Sequence, residues 1–123
     1  IPGSRHYIHA KDVADGMLFL LQNQDKISNL PNDYGGAKCP KFNLVGPVEW
    51  DNLLLAQKIA ISQNKELKYK MVDFHSSRPG HDLRYALDGT LMKELGWEPK
   101  VSIDERISQV VNWTLNNDRW LKL

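Results

Sequence analysis

A prolyl-glycyl pair stands between two basic residues at Arg78-Pro79-Gly80-His81. It dictates a turn, because proline fixes φ and glycine reaches conformations that other residues avoid. Behind it, Leu83, Tyr85 and Leu87 alternate with Arg84 and Ala86, which is the period of a short strand. A turn that delivers Arg78 and His81 to the mouth of a strand suits an anion, since the planar guanidinium fork matches phosphate oxygens. The same residues also fit a solvated turn in which the arginines pair with Asp82 or Asp88 and Asp82 orients Arg84.

The rest of the chain divides by period. Val13, Met17, Leu20 and Leu21 recur at helical spacing behind Asp12 and Asp15, which predicts a helix over 12–22 with Asp12 as its cap. Glu49 and Asp51 open an apolar-rich segment, Leu53 to Ile61, which predicts a second helix over 50–63. Asp88 ahead of Leu91, Met92 and Leu95, with Gly96 behind, predicts a short helix over 89–95. Ser102 followed by Glu105 is a capping box. Behind it, Ile103, Ile107, Val110, Val111 and Leu115 form one stripe of a final helix over 102–116. Trp113 and Trp120 fall outside that stripe. Short strands are expected near 6–10, 42–45, 69–72 and 83–87. Residues 22–41 read as loop, broken by Pro31, Gly35, Gly36 and Pro40. Gly16, inside a helix, marks either a close backbone approach or nothing in particular.

These elements make one α/β module over 1–123, the length of a single domain. Sixteen Lys and Arg against fifteen Asp and Glu leave a formal charge of +1, which argues against a dedicated nucleic-acid binder. Cys39 is the only cysteine, so no internal disulfide forms, and a reducing, cytoplasmic setting is expected. No apolar run approaches the length of a membrane span. His6, His9, His75 and His81 lack metal-ligand spacing, so no metal is expected. The chain opens on Ile1, which is compatible with a natural short protein and with a piece of a longer one.

Arg78-Pro-Gly-His-Asp82, Arg84-Tyr-Ala-Leu-Asp88 and Leu95-Gly-Trp-Glu-Pro99, taken in that order, resemble the C-terminal signature of the extended short-chain dehydrogenase/reductase family. Within that family the likeness is greatest to nucleotide-sugar 4,6-dehydratases of the dTDP-glucose type. Arg5, followed by Ile8-His9 and Asp12-Val-Ala14, resembles the family's passage from strand to helix, although His6 stands where the family pattern has Asp. Phe42-Asn-Leu-Val45 resembles its Asn-Ile-Gly segment. The resemblance implies that Arg5, Arg78 and His81 contact a nucleotide diphosphate of dTDP or UDP type and that Asn43 reaches the base or ribose. Asn43 reads equally well as a side chain that satisfies loop backbone. Tyr34 and Lys38 have the spacing of the family's catalytic pair, but Gly35 and Gly36 between them and Cys39-Pro40 behind them oppose the required helix.

The likeness spans 5–120, is weakest over 22–41, and covers the C-terminal third of a family member. It implies the substrate-binding portion of a Rossmann-type fold, without the glycine-rich turn that receives NAD and without catalytic residues. The expectation is a nucleotide-sugar-binding piece of an NAD-dependent dehydratase or epimerase that is not catalytic alone. The alternative is a non-catalytic binding or assembly module that pairs with itself or with an N-terminal Rossmann chain.

Overall fold

The structure, a computed structural model, describes residues 3–30, 40–73, 76 and 78–122. The readings made for Pro31, Tyr34, Gly35, Gly36, Lys38, Cys39, His75 and Ser77 fall outside those residues.

Among the described residues, three short strands form one mixed sheet. β1 (Ser4–His6) lies between β2 (Glu49–Asp51) and β3 (Arg84–Tyr85). β2 runs antiparallel to β1, with Ser4 opposite Asp51 and His6 opposite Glu49. β3 runs parallel to β1, with Ser4 opposite Arg84 and Arg5 opposite Tyr85. Because side chains alternate across a sheet, Ser4, His6, Glu49 and Arg84 share one face, and Arg5, Trp50 and Tyr85 share the other.

The helices are α1 (Ala10–Gln22), α2 (Gln24–Ser28), α3 (Asn52–Ser62), α4 (Thr90–Leu95) and α5 (Ile103–Leu115), with a 3-10 turn at Asp118–Trp120. Ser102 caps α5 as the capping box predicts, its Oγ accepting from Glu105 N at 3.2 Å. Gly96 closes α4 in the left-handed conformation, φ 102°. Asp51 caps α3, accepting from Leu54 N at 2.7 Å.

Several expectations are corrected. α1 begins two residues before Asp12, because His9 is its cap and accepts from Lys11 N at 2.9 Å. Asp12 therefore lies in the first turn, where it is 4% exposed and paired with Arg106. Asp88 does not cap α4 directly. It stands one residue ahead of the Gly89 cap, and its carboxylate accepts from Thr90 N and Thr90 Oγ1. Residues 42–45 form no strand, since that stretch is tied by Asn43 to the Asp88 carbonyl and by the Gly46 carbonyl to His6. Residues 69–72 are exposed and join no ladder. The chain pairs instead at 49–51, where the helix was expected to open, so Glu49 and Trp50 belong to the sheet. Gln24–Ser28 is helical inside the expected loop, with Lys26 lying over the Phe19 ring at 5.7 Å.

The core is thin. Among the described residues, Ala60, Met92, Trp97, Ile107 and Val111 are its buried apolar side chains, and Met92 alone is fully enclosed. Trp97 Nε1 donates to Asp15 Oδ2 at 2.9 Å, which fastens the α4–α5 connection to α1. Trp113 and Trp120 pair with each other, ring centroids 6.2 Å apart, on the surface. Gly16 marks a close approach, because a Cβ there would stand 2.6 Å from Leu44 Cδ2. Gly46 is more constrained still, since a Cβ would fall 2.0 Å from the Tyr7 carbonyl oxygen, a backbone atom that cannot rotate away. Gly46→Ala should therefore lower unfolding free energy in urea by about 2 kcal/mol or more. Gly89→Ala, whose Cβ meets Val45 Cγ2 at 3.1 Å and Val45 Cβ at 3.2 Å, a shift of a few tenths of an ångström rather than a backbone clash, should cost less than Gly46→Ala, about 1 kcal/mol. Equal losses at the two positions would contradict this account of the loop.

Candidate functional site

β1 and β3 run parallel and adjacent, and the Arg78–His81 turn opens directly into β3. Gly80 has φ 80°, the conformation that the turn requires of glycine, and His81 N donates to Arg78 O at 3.4 Å. Arg78 and His81 are both exposed. Ser4 N donates to Leu83 O at 2.9 Å, so the turn joins the sheet beside the N-terminal end of β1.

Arg5 sits in the middle of β1, opposite Tyr85. Its guanidinium stacks over that ring, 4.7 Å from the centroid, and donates to Asn52 Oδ1 at 3.4 Å. The Tyr7 hydroxyl donates to the same oxygen. A Cβ on Gly3 would lie 3.6 Å from Arg5 Nη1, so the guanidinium folds back along β1 toward the end where the turn arrives. Among the described residues, neither Arg5 nor Arg78 stands within ion-pair distance of a carboxylate.

Asn43 lies toward the other end of β3, where its amide donates to the Asp88 carbonyl at 2.9 Å. A cleft of about 430 Å³ runs between that loop and the sheet, lined by Arg5, Leu44, Val45, Tyr85 and Leu87 among others. The pairing thus sets the Arg78–His81 turn ahead of β3, beside the N-terminal end of β1; the cleft that Arg5 lines is not lined by Arg78, His81 or Asn43, and Asn43 lines a separate cavity with Gly46 and Trp97.

Sequence reasoning missed the group on the opposite face. Glu49 accepts from Arg84 Nε at 2.6 Å, from Arg84 Nη2 at 2.8 Å and from Ser4 Oγ at 2.6 Å. His6 Nε2 stands 3.8 Å from Glu49 Oε2, while His6 Nδ1 donates to Gly46 O at 3.2 Å. The carboxylate partner of Arg84 is therefore Glu49, not Asp82. The bidentate bond from Arg84, then the Ser4 hydroxyl, pull the Glu49 carboxyl down to about 2. Nothing in the spacing announces this pairing, because Glu49 reads as the opening of a helix and Arg84 lies 35 residues away.

Elsewhere, burial and then the Arg106 charge hold the His9 imidazole below its usual value, which suits a ring nitrogen that must accept a hydrogen bond. Among the described residues, no group of three His, Cys, Asp or Glu is placed to hold a metal ion, and no helix is long and apolar enough to cross a membrane. The described residues also do not fit the NAD pyrophosphate. Such a group needs open N–H donors at a helix N-terminus behind a strand. At α1 that place holds His9 and the Asp12 carboxylate, at α3 the Asp51 carboxylate, at α4 the Asp88 carboxylate, and at α5 the Ser102 cap with Asp104 and Glu105.

A short mixed sheet with helices, and an arginine-bearing turn beside an arginine-bearing strand, define an α/β module of Rossmann-like topology. The family model described as GDP-mannose 4,6 dehydratase matches residues 2–110, and the chain belongs to this family. It is homologous over part of its length to dTDP-glucose 4,6-dehydratase, a member of the extended short-chain dehydrogenase/reductases. It is 34% identical over 89 residues to the dTDP-glucose 4,6-dehydratase of Xanthomonas campestris pv. campestris, matching 66% of this chain and 25% of that protein. The Haemophilus influenzae enzyme of the same name is 36% identical over 85 residues, covering 67% of this chain and 25% of that protein. The chain thus spans about a quarter of the length of these relatives. A crystal structure of dTDP-glucose 4,6-dehydratase from Bacillus anthracis in complex with NAD shares the fold, with a TM-score of 0.71 and 24% identity over 97% of this chain and 33% of that one.

Glu49 generates a pH prediction. Its folded-state value of about 2 lies below the ordinary 4.5, so its contribution to stability is fully present above pH 4.5 and is lost as pH falls toward 2. Glu49→Gln should flatten the part of the acid-unfolding curve between pH 4.5 and 2, followed by circular dichroism. An unchanged slope there would show that the Arg84 bond does not form in solution.

Proposed function

We propose that this chain supplies the nucleotide-diphosphate contacts of an NAD-dependent nucleotide-sugar 4,6-dehydratase or epimerase and does not carry out the reaction by itself. The observation that supports this reading is the parallel pairing of β1, which carries Arg5, with β3, which follows the Arg78–His81 turn, with both guanidinium groups free of carboxylate partners among the described residues. In this reading Arg5 and Arg78 hold the two phosphates through charge-assisted hydrogen bonds. His81 bonds a phosphate oxygen or the adjoining sugar. The nucleoside lies along the cleft toward Asn43, which exchanges the Asp88 carbonyl for the base or ribose. Tyr85 supports Arg5 from beneath. NAD and the acid–base groups of the parent reaction lie with residues other than those described, and no chemical step is assigned to this chain.

The site is open on one side, so much of the ligand stays in water and its immobilisation is poorly offset. The expected Kd for dTDP or UDP is about 1 mM or weaker, near −4 kcal/mol. Titration of dTDP into isotope-labelled protein should shift the amides of Arg5, Arg78, Gly80 and His81 and leave α5 unmoved. Arg78→Ala or Arg5→Ala should abolish those shifts. No shift at several millimolar dTDP, in folded protein, would remove the nucleotide assignment.

A second reading, a binding or assembly module completed by another copy or by an N-terminal Rossmann chain, draws on the surface. Met17, Leu18 and Leu21 on α1 and Ile61 on α3 are among the exposed apolar side chains. Sedimentation equilibrium over a hundredfold concentration range should then show self-association. A monomer throughout, with no chain co-purifying, would count against this reading.

A further inference from the structure

The Arg78–His81 turn is held by very little. β3 has two residues, both exposed, and pairs on one side only. A strand that short does not fix its own position. Backbone bonds to β1 are one tie. The other runs over the top of β1. Glu49, on β2, reaches past Ser4 to take both Nε and Nη2 of Arg84 on β3, while Ser4 itself donates to the same carboxylate. Three strands are thus pinned by one side chain, and the pinned residue of β3 lies three positions after His81. A bidentate arginine–carboxylate bond fixes angle as well as distance.

We propose that Glu49 is the positioning residue of the anion site: by clamping Arg84 across β1 it holds β3 in register and so sets the Arg78–His81 turn against Arg5. This rests on the nucleotide-diphosphate reading above. Glu49 touches no ligand, because it lies on the sheet face opposite Arg5. Its two bonds take Nε and Nη2 of Arg84, which itself lines the cleft beside Arg5.

The test uses the whole chain and two readouts. In ligand-free protein, amide exchange at Ser4, whose N–H bonds Leu83 O, should accelerate about tenfold in Glu49→Gln, with exchange at Val111 in α5 unchanged. At 2 mM dTDP, the shifts at residues 78–81 should fall to about a quarter of their wild-type size, as follows if a Kd of about 1 mM rises tenfold. The reciprocal exchange, Glu49→Arg with Arg84→Glu, should restore both. If Ser4 exchange is unaffected, or rises together with Val111, the clamp does not position β3 and the proposal falls. If wild type shows dTDP shifts that Glu49→Gln leaves intact, the proposal falls while the nucleotide site stands. If Ser4 responds but dTDP shifts nothing in wild type, the clamp survives as a holder of β3, and its role in an anion site is overturned along with the nucleotide reading.

Discussion

The bond between Asp12 and Arg106 joins the two ends of the chain. Arg106 Nε lies 3.0 Å from Asp12 Oδ2 and Nη2 lies 2.5 Å from Oδ1, across 94 residues of sequence. The guanidinium has a second partner in Gln109 Oε1, and the Asp12 hydrogen bond raises its affinity for the proton. A buried pair of this kind gains little over apolar replacements, but removing one partner strands a charge in the interior. Here it does what the thin core cannot do, fixing α1 in direction against α5. Three residues, Tyr7 to His9, separate α1 from β1, so the helix orientation is passed to Arg5 with little slack. The same interaction accounts for His9: with Arg106 close by and the ring partly buried, the neutral imidazole is favoured, and only that form can cap α1 through Nδ1.

The helices were legible because their signals are local. Ser102 and Glu105 are three residues apart, Gly96 follows α4 directly, and the stripe of Ile103, Ile107 and Val111 repeats within the element itself. Of the strands, β3 falls within the alternating run 83–87, whereas β1 and β2 did not show their bounds, because three residues hold no period. β2 was hidden by its acidic residues: Asp51 does cap a helix, but Glu49 belongs to the sheet and its partners lie 45 and 35 residues away. Phe42-Asn-Leu-Val45 has the composition of a strand and forms none, since its hydrogen-bonding groups are met by Asp88 and His6 instead. Asp12 was visible as a residue that favours helix starts. That it is buried against Arg106 is a property of the tertiary structure alone.

The candidate site divides in the same way. The turn at Pro79-Gly80 is written in its own two residues, and Gly80 takes the positive φ that such a turn requires. Arg5 carries no local signal at all. It became a candidate through resemblance, and the structure gives it a physical character: a guanidinium stacked on an exposed tyrosine and bonded to an amide rather than to an acid. Strand alternation keeps Glu49 away from it, because Glu49 points to the opposite face and is satisfied there by Arg84 and Ser4.

His6 is where the chain departs from the resemblance, and its surroundings give the departure a structural sense. The imidazole donates through Nδ1 to the Gly46 carbonyl and turns Nε2 toward Glu49. An aspartate cannot donate to a carbonyl, so a carboxylate at this position would leave Gly46 O without this partner. Gly46 is also where the loop presses on Tyr7, too closely for any side chain. The hydrogen bond and the close approach act on the same residue, and together they fasten the loop that carries Asn43 to the strand that carries Arg5. The placement of that loop against β1 therefore depends on His6 as well as on Gly46.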